Sequence, residues 1–172
     1  MILRGFIIII TLFIWQVSFG QDTNIRVKEV SEIFKSSIIQ SSKSKIEVDS
    51  NPWLSYNSDS SFFKSDTVFL IQNNPSMNYV QKKSCAFISW TFYKKNQFIQ
   101  LDINYCNEPP TERVTTSNDF YSLTLIEELN NTIIRTYRKN KLIDSFIVLG
   151  YKRFNDSFAN EDVSVLTLLR KK

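Results

Sequence analysis

From Lys45 onward, apolar and polar residues alternate with a period of two, the pattern of half-buried strands. Short candidate strands cover 45–48, 53–56, 61–72 and 79–82, and a hairpin spans 85–106. A loop with Pro109-Pro110 fills 107–118, and further strands cover 120–127, 132–138, 142–152 and 163–170. Asn130-Asn131 and Lys139-Asn140 mark turns between neighbours, and 154–162 reads as a polar loop. Short strands in hairpin succession predict a mainly β domain over 45–172. The preferred architecture is an antiparallel up-and-down β-barrel, with a β-sandwich as the alternative. Scarce glycine argues against the barrel, because tight barrels often bend at Gly. Upstream the period changes: Val27, Val30, Ile33, Phe34, Ile38 and Ile39 recur at helical spacing. Residues 21–44 are therefore read as a short amphipathic helix, packed on its own domain, followed by a Ser/Lys-rich linker.

The hairpin 85–106 reads CAFISWTFYKKNQFIQLDINYC, with Lys94-Lys95-Asn96-Gln97 as its polar interruption. A two-residue turn at Lys95-Asn96 pairs Phe92 with Ile99, Trp90 with Leu101 and Cys85 with Cys106. That register puts Ala86, Ile88, Trp90, Phe92, Ile99, Leu101, Ile103 and Tyr105 on one face. The cysteines then form a non-hydrogen-bonded pair with Cα atoms about 4.5 Å apart, within disulfide range. A bridge closing about 22 residues stabilises by roughly 3 kcal/mol. No C-x-x-C is present, so the pair is read as structural rather than redox-active. Lys-Asn is not the favoured type I′ pair, and a longer loop would shift the register.

The first residues read as an address. Arg4 precedes an apolar run over 6–17, and Ser18-Phe19-Gly20 supplies the small residues of a signal-peptidase site. As a helix the run is about 18 Å long, short of a roughly 30 Å hydrocarbon core. The expectation is a signal peptide over 1–20 cleaved after Gly20, no membrane span in the mature chain, and a secreted or periplasmic location. Asn130-Asn131-Thr132 and Asn155-Asp156-Ser157 are glycosylation sequons, relevant only in a eukaryotic secretory pathway.

Composition removes function classes. The 172 residues contain no His, which excludes Ser-His and Cys-His catalysis and His-ligated metals. Of three Gly, only Gly150 lies beyond the signal, so no phosphate loop, dinucleotide fingerprint or G-x-S-x-G elbow exists. No cofactor is implied. The net charge of +4, or +3 once Arg4 leaves with the signal, is too small for a nucleic-acid partner. With 42% hydrophobic residues the chain is folded rather than disordered.

Trp53 on the first barrel strand, the antiparallel meander and Arg170 in the closing VLTLLRKK resemble the lipocalin-like (calycin) family. The family's Gly-x-Trp falls on Asn51-Pro52-Trp53, which keeps the Trp and lacks the Gly. Its late Arg, which packs across that Trp, corresponds to Arg170. The resemblance implies a small apolar ligand inside the barrel and no cofactor.

Trp90, Phe92, Leu101 and Tyr105 are expected to line that cavity, or a solid core. Arg135 and Tyr137, two apart on one strand, could hold a ligand carboxylate, although a Lys139-Asn140 turn would set Arg135 opposite Asp144. Ser61-Phe62-Phe63-Lys64 matches S-x-x-K but lies in alternating sequence. Asp156, Glu161 and Asp162 lack calcium-loop spacing, and Glu127-Glu128 point to opposite faces. The leading expectation is an exported, non-catalytic barrel binding a small hydrophobic ligand. The alternative is an extracellular or envelope interaction module with a solid core, and the third is a carboxylate-based hydrolase.

Overall fold

The computed structural model describes residues 25–39, 49–74, 83–106, 115–157 and 160–172. The signal segment, most of the linker, the candidate strands 45–48 and 79–82 and residues 107–114 lie outside the described residues. Helix α1 is Val27–Ser36, where Glu29 accepts the Arg26 backbone N–H at 3.1 Å and Lys35 pairs with Glu32. It stops sooner than its periodicity predicts, because Ile38–Ile39 (β1) pairs with Asp49–Ser50 (β2). The remaining strands are β3 (Trp53–Tyr56), β4 (Thr67–Asn74), β5 (Ala86–Lys94), β6 (Gln97–Asn104), β7 (Phe120–Glu128), β8 (Asn131–Arg138), β9 (Lys141–Asp156) and β10 (Glu161–Arg170).

These eight close into the expected all-antiparallel barrel in the order β10-β4-β3-β5-β6-β7-β8-β9. The meander is interrupted once: β3 lies between β4 and β5, so the chain passes β3 to reach β5. Where 61–72 was expected to be one strand, a 3-10 turn at Ser58–Ser60 leads into a helical turn, α2 (Ser61–Lys64), before β4. Strands β9 and β10 also extend into the expected loop at 154–162. The β7–β8 turn is Leu129-Asn130, one residue earlier than the sequence signal.

Bulges and asparagine take over the bending expected of glycine. Tyr93, Ile143 and Leu149 are each left unpaired at a register shift, in β5–β6, β8–β9 and β9–β10. Each adds local twist to the closing sheet. Of the left-handed positions among the described residues, Asn96, Asn130, Asn140 and Asn160 are asparagines, the non-glycine residue that tolerates positive φ best, and the others are Asp59, Ser60, Leu129 and Lys139.

Candidate functional site

Strand β5 turns Ile88, Trp90 and Phe92 into the barrel, and Phe98 of β6 lies opposite Phe92. β3 adds Trp53, paired with Trp90, and β9 adds Phe146. Their rings form a continuous chain across the interior, with Trp90–Phe98 at 4.6 Å, Phe92–Phe98 at 5.3 Å and Trp90–Phe146 at 6.1 Å between centroids. Strand residues alone do not complete this interior. Near the β5–β6 turn, α1 inserts Val30 and Phe34; Phe34 stacks on Phe92 at 4.6 Å and meets Trp53 edge-on at 5.9 Å. From the start of β5, α2 inserts Phe62, 6.5 Å from Trp90.

The α2 end is fixed by Arg170. Its guanidinium lies 4.8 Å from the Phe146 ring centroid and 5.4 Å from that of Phe62. It donates to the Asp144 carboxylate and, at 2.7 Å, to the Phe62 carbonyl. Asn57 adds a second anchor: its amide donates to Asp102 and its carbonyl oxygen accepts the Phe62 N–H. Just beyond that end Cys85 and Cys106 form the expected disulfide, with Cα atoms 5.1 Å apart.

Two interior indoles are treated differently. Trp90 Nε1 donates to Gln100 Oε1 at 3.0 Å, so an inward glutamine on β6 satisfies it. Trp53, with none of its surface exposed, has an indole N–H without an acceptor among the described residues. Arg170 Nε is the second interior donor in that condition.

The structure brings Trp90 and Phe92 together but not Leu101 and Tyr105. The bulge at Tyr93 pairs Trp90 with Gln100 and Phe92 with Phe98, one residue off the expected register. Consequently Ile99, Leu101, Ile103 and Tyr105 face outward, while Gln100 and Asp102 face inward. Tyr105 is 44% exposed, and Phe120 beside Ile99 is 43% exposed. The cysteines still bridge, although the ladder now aligns Cys85 with Tyr105, whose N–H donates to the Cys85 carbonyl.

Arg135 and Tyr137 also face outward. The bulge at Ile143 sets Arg135 opposite Ser145 rather than Asp144, and Asp144 opposite Thr136 on the inner face. Arg135 instead lies 3.7 Å from Glu128, which also accepts from Lys171 at 3.1 Å. Trp53 lies beside Phe34 at the α1 end, whereas the Arg170 guanidinium lies over Phe62 and Phe146 at the α2 end, so the structure does not bring this pair together.

Comparison with protein-family models, with curated proteins and with solved structures finds no match.

The S-x-x-K segment does open a helical turn, contrary to the strand expectation. Yet the Ser61 hydroxyl donates to the Tyr56 carbonyl and Lys64 Nζ to the Asp59 carbonyl, so neither is directed at the other. Asp162 is held by Arg153 at 3.0 Å and by Asn155, and these hydrogen bonds, Asn155 first, lower its pKa. Among the described residues no group of acids or cysteines is placed to hold a metal ion, and no helix is long and apolar enough to cross a membrane. Of the two sequons, Asn130 sits on an exposed turn and Asn155 on exposed β9. Phe34, Phe62 and Gln100 are not among the site residues the sequence predicts, and Asp144 enters there only as a possible partner of Arg135. Only Phe34 carried a signal, its place on the apolar stripe of α1.

Proposed function

We propose that this chain is an exported, disulfide-bonded, lipocalin-like barrel that binds one small apolar molecule in its interior and catalyses no reaction. The observation that carries the reading is the way the interior is completed. An eight-stranded barrel is wide enough either to be filled by its own side chains or to hold one small ligand. Here helix side chains finish the filling, Phe34 and Val30 at one end and Phe62 at the other. An exposed disulfide and the N-terminal address support an extracellular or periplasmic location.

Native mass spectrometry on residues 21–172, produced by export into an oxidising compartment, tests the reading. The expected result is a discrete adduct of lipid-like mass that leaves on denaturation, on a chain two hydrogens lighter than its reduced form. An unliganded mass, with no uptake from a panel of hydrophobic compounds, would overturn it.

One observation favours a second reading, an extracellular or envelope interaction module. Tyr105 and Phe120 are exposed and Ile99 and Leu101 half-buried on the outside of the barrel. Such a module would leave the interior permanently filled.

A further inference from the structure

We propose that α1 is a displaceable plug, and that the space its Val30 and Phe34 occupy is the ligand site, suited to a planar, uncharged, apolar molecule with one hydrogen-bond acceptor. This inference rests on interior binding and specifies where it happens and what is bound.

The two ends of the barrel are closed by different means. At one end, α2 is continuous with β3 and β4 and is latched through Arg170, Asp144 and Asn57. At the other, uncharged contacts hold α1: the Thr132 hydroxyl donates to the Ile25 carbonyl, the Asn51 N–H to the Ser37 carbonyl at 2.9 Å, and β1 beyond its C-terminus pairs with β2. The fully buried residues of α1 are Val30 and Phe34, with Ile33 partly covered and Ile25 and Ile38 packed on the same cluster just beyond its two ends. Lys28, Glu29, Glu32 and Lys35 already face solvent. Displacing α1 therefore uncovers two fully buried side chains and their partly covered neighbours, and it breaks no interior ion pair.

Phe34 sits as a bound aromatic molecule would. Its ring lies 22° from parallel to Phe92 and 89° from the plane of Trp53. A planar apolar occupant reproduces both contacts. Its acceptor would meet the Trp53 indole N–H, which has none among the described residues. The ring neighbours of Phe34 offer no counter-charge, so a charged occupant would be buried unpaired. The ionised pair Asp144–Arg170 belongs to the opposite, latched end.

The test uses prodan, a planar uncharged naphthalene carrying one ketone, with residues 21–172 in the oxidised form. Prodan fluorescence is expected to rise and shift to the blue on binding. Amides of 27–36 are then expected to exchange at least about tenfold faster with prodan bound, with the strand ladders unchanged. Phe34→Ala is expected to bind prodan about tenfold tighter, because the plug no longer competes. Trp53→Phe should bind prodan no better than the matching naphthalene without the ketone. Binding with α1 protection unchanged would overturn the plug while leaving interior binding intact. If neither the wild type nor Phe34→Ala binds prodan or its ketone-free analogue, both fall. Should Phe34→Ala not fold, the exchange measurement on the wild type still decides the matter.

Discussion

Asp144 is the anion that holds Arg170 inside the barrel, between the rings of Phe62 and Phe146. The pair is largely buried, with side-chain exposures of 13% for Arg170 and 21% for Asp144. It also carries α2, because the same guanidinium holds the Phe62 carbonyl. Arg170→Ala leaves a half-buried carboxylate unpaired and releases that carbonyl. A loss of about 2–3 kcal/mol is expected, below the range for fully buried pairs because water reaches both groups. Asp144→Asn should cost less, and the double variant should fall short of the sum of the singles in urea denaturation. Strict additivity would show that the two groups do not stabilise each other.

The inner and outer faces of the β5–β6 hairpin make opposite predictions for two residues the sequence placed together. Phe92 is buried among Phe34, Phe98 and Trp90, so Phe92→Ala is expected to cost about 3–5 kcal/mol. Leu101 faces outward and is half-buried, so Leu101→Ala should cost below about 1 kcal/mol. Equal, large losses in thermal or denaturant unfolding would instead put Leu101 in the core.

Those two residues also show where the sequence stops being legible. Alternation and the turn at Lys95-Asn96 located both strands, and Lys139-Asn140 did the same for β8 and β9. A bulge, however, adds one residue without changing composition or apparent period, so Tyr93 and Ile143 reversed the facing of everything on one side of each turn. Leu101 moved outward and Asp144 inward for that reason alone. The disulfide survived the shift because cysteines just beyond the ladder can join diagonally, with Cα atoms 5.1 Å apart. α2 was hidden for a different reason: four residues are too few for a helical period to appear, and Ser61-Phe62-Phe63-Lys64 fits a strand equally well. The helix α1 was legible because its stripe repeats over three turns, although the depth to which Phe34 enters the barrel was not.

The β7–β8 turn contains a correctable strain. Leu129 has φ 51° and is 90% exposed, so it accepts a left-handed backbone without packing in return. Asn130 follows at φ 63°, making a two-residue turn with both positions left-handed. Leu129→Asn is expected to stabilise by about 0.5–1 kcal/mol, since asparagine tolerates this conformation and leucine does not. A raised midpoint in thermal unfolding, with an unchanged chromatographic profile, checks it. A lowered midpoint would mean that the leucine side chain makes a contact worth more than the strain.

Asp162 links the β9–β10 hairpin to pH. Hydrogen bonds from Asn155 and Arg153, together with the Arg153 charge, hold its carboxyl below the usual aspartate range. The folded pKa is thus lower than the unfolded one. The stabilising contribution is present above the unfolded value and is lost as pH falls through the folded value, on the acid side of the ordinary carboxylate range. The carboxyl is exposed to solvent, which keeps that contribution small and sensitive to salt. Carbon-detected NMR titration should find Asp162 among the last side-chain carboxyls to protonate on acidification. Asn155→Ala should move its midpoint upward, toward the value of a free aspartate. A midpoint unchanged by that substitution would leave the Arg153 charge, rather than the asparagine hydrogen bond, as the main cause.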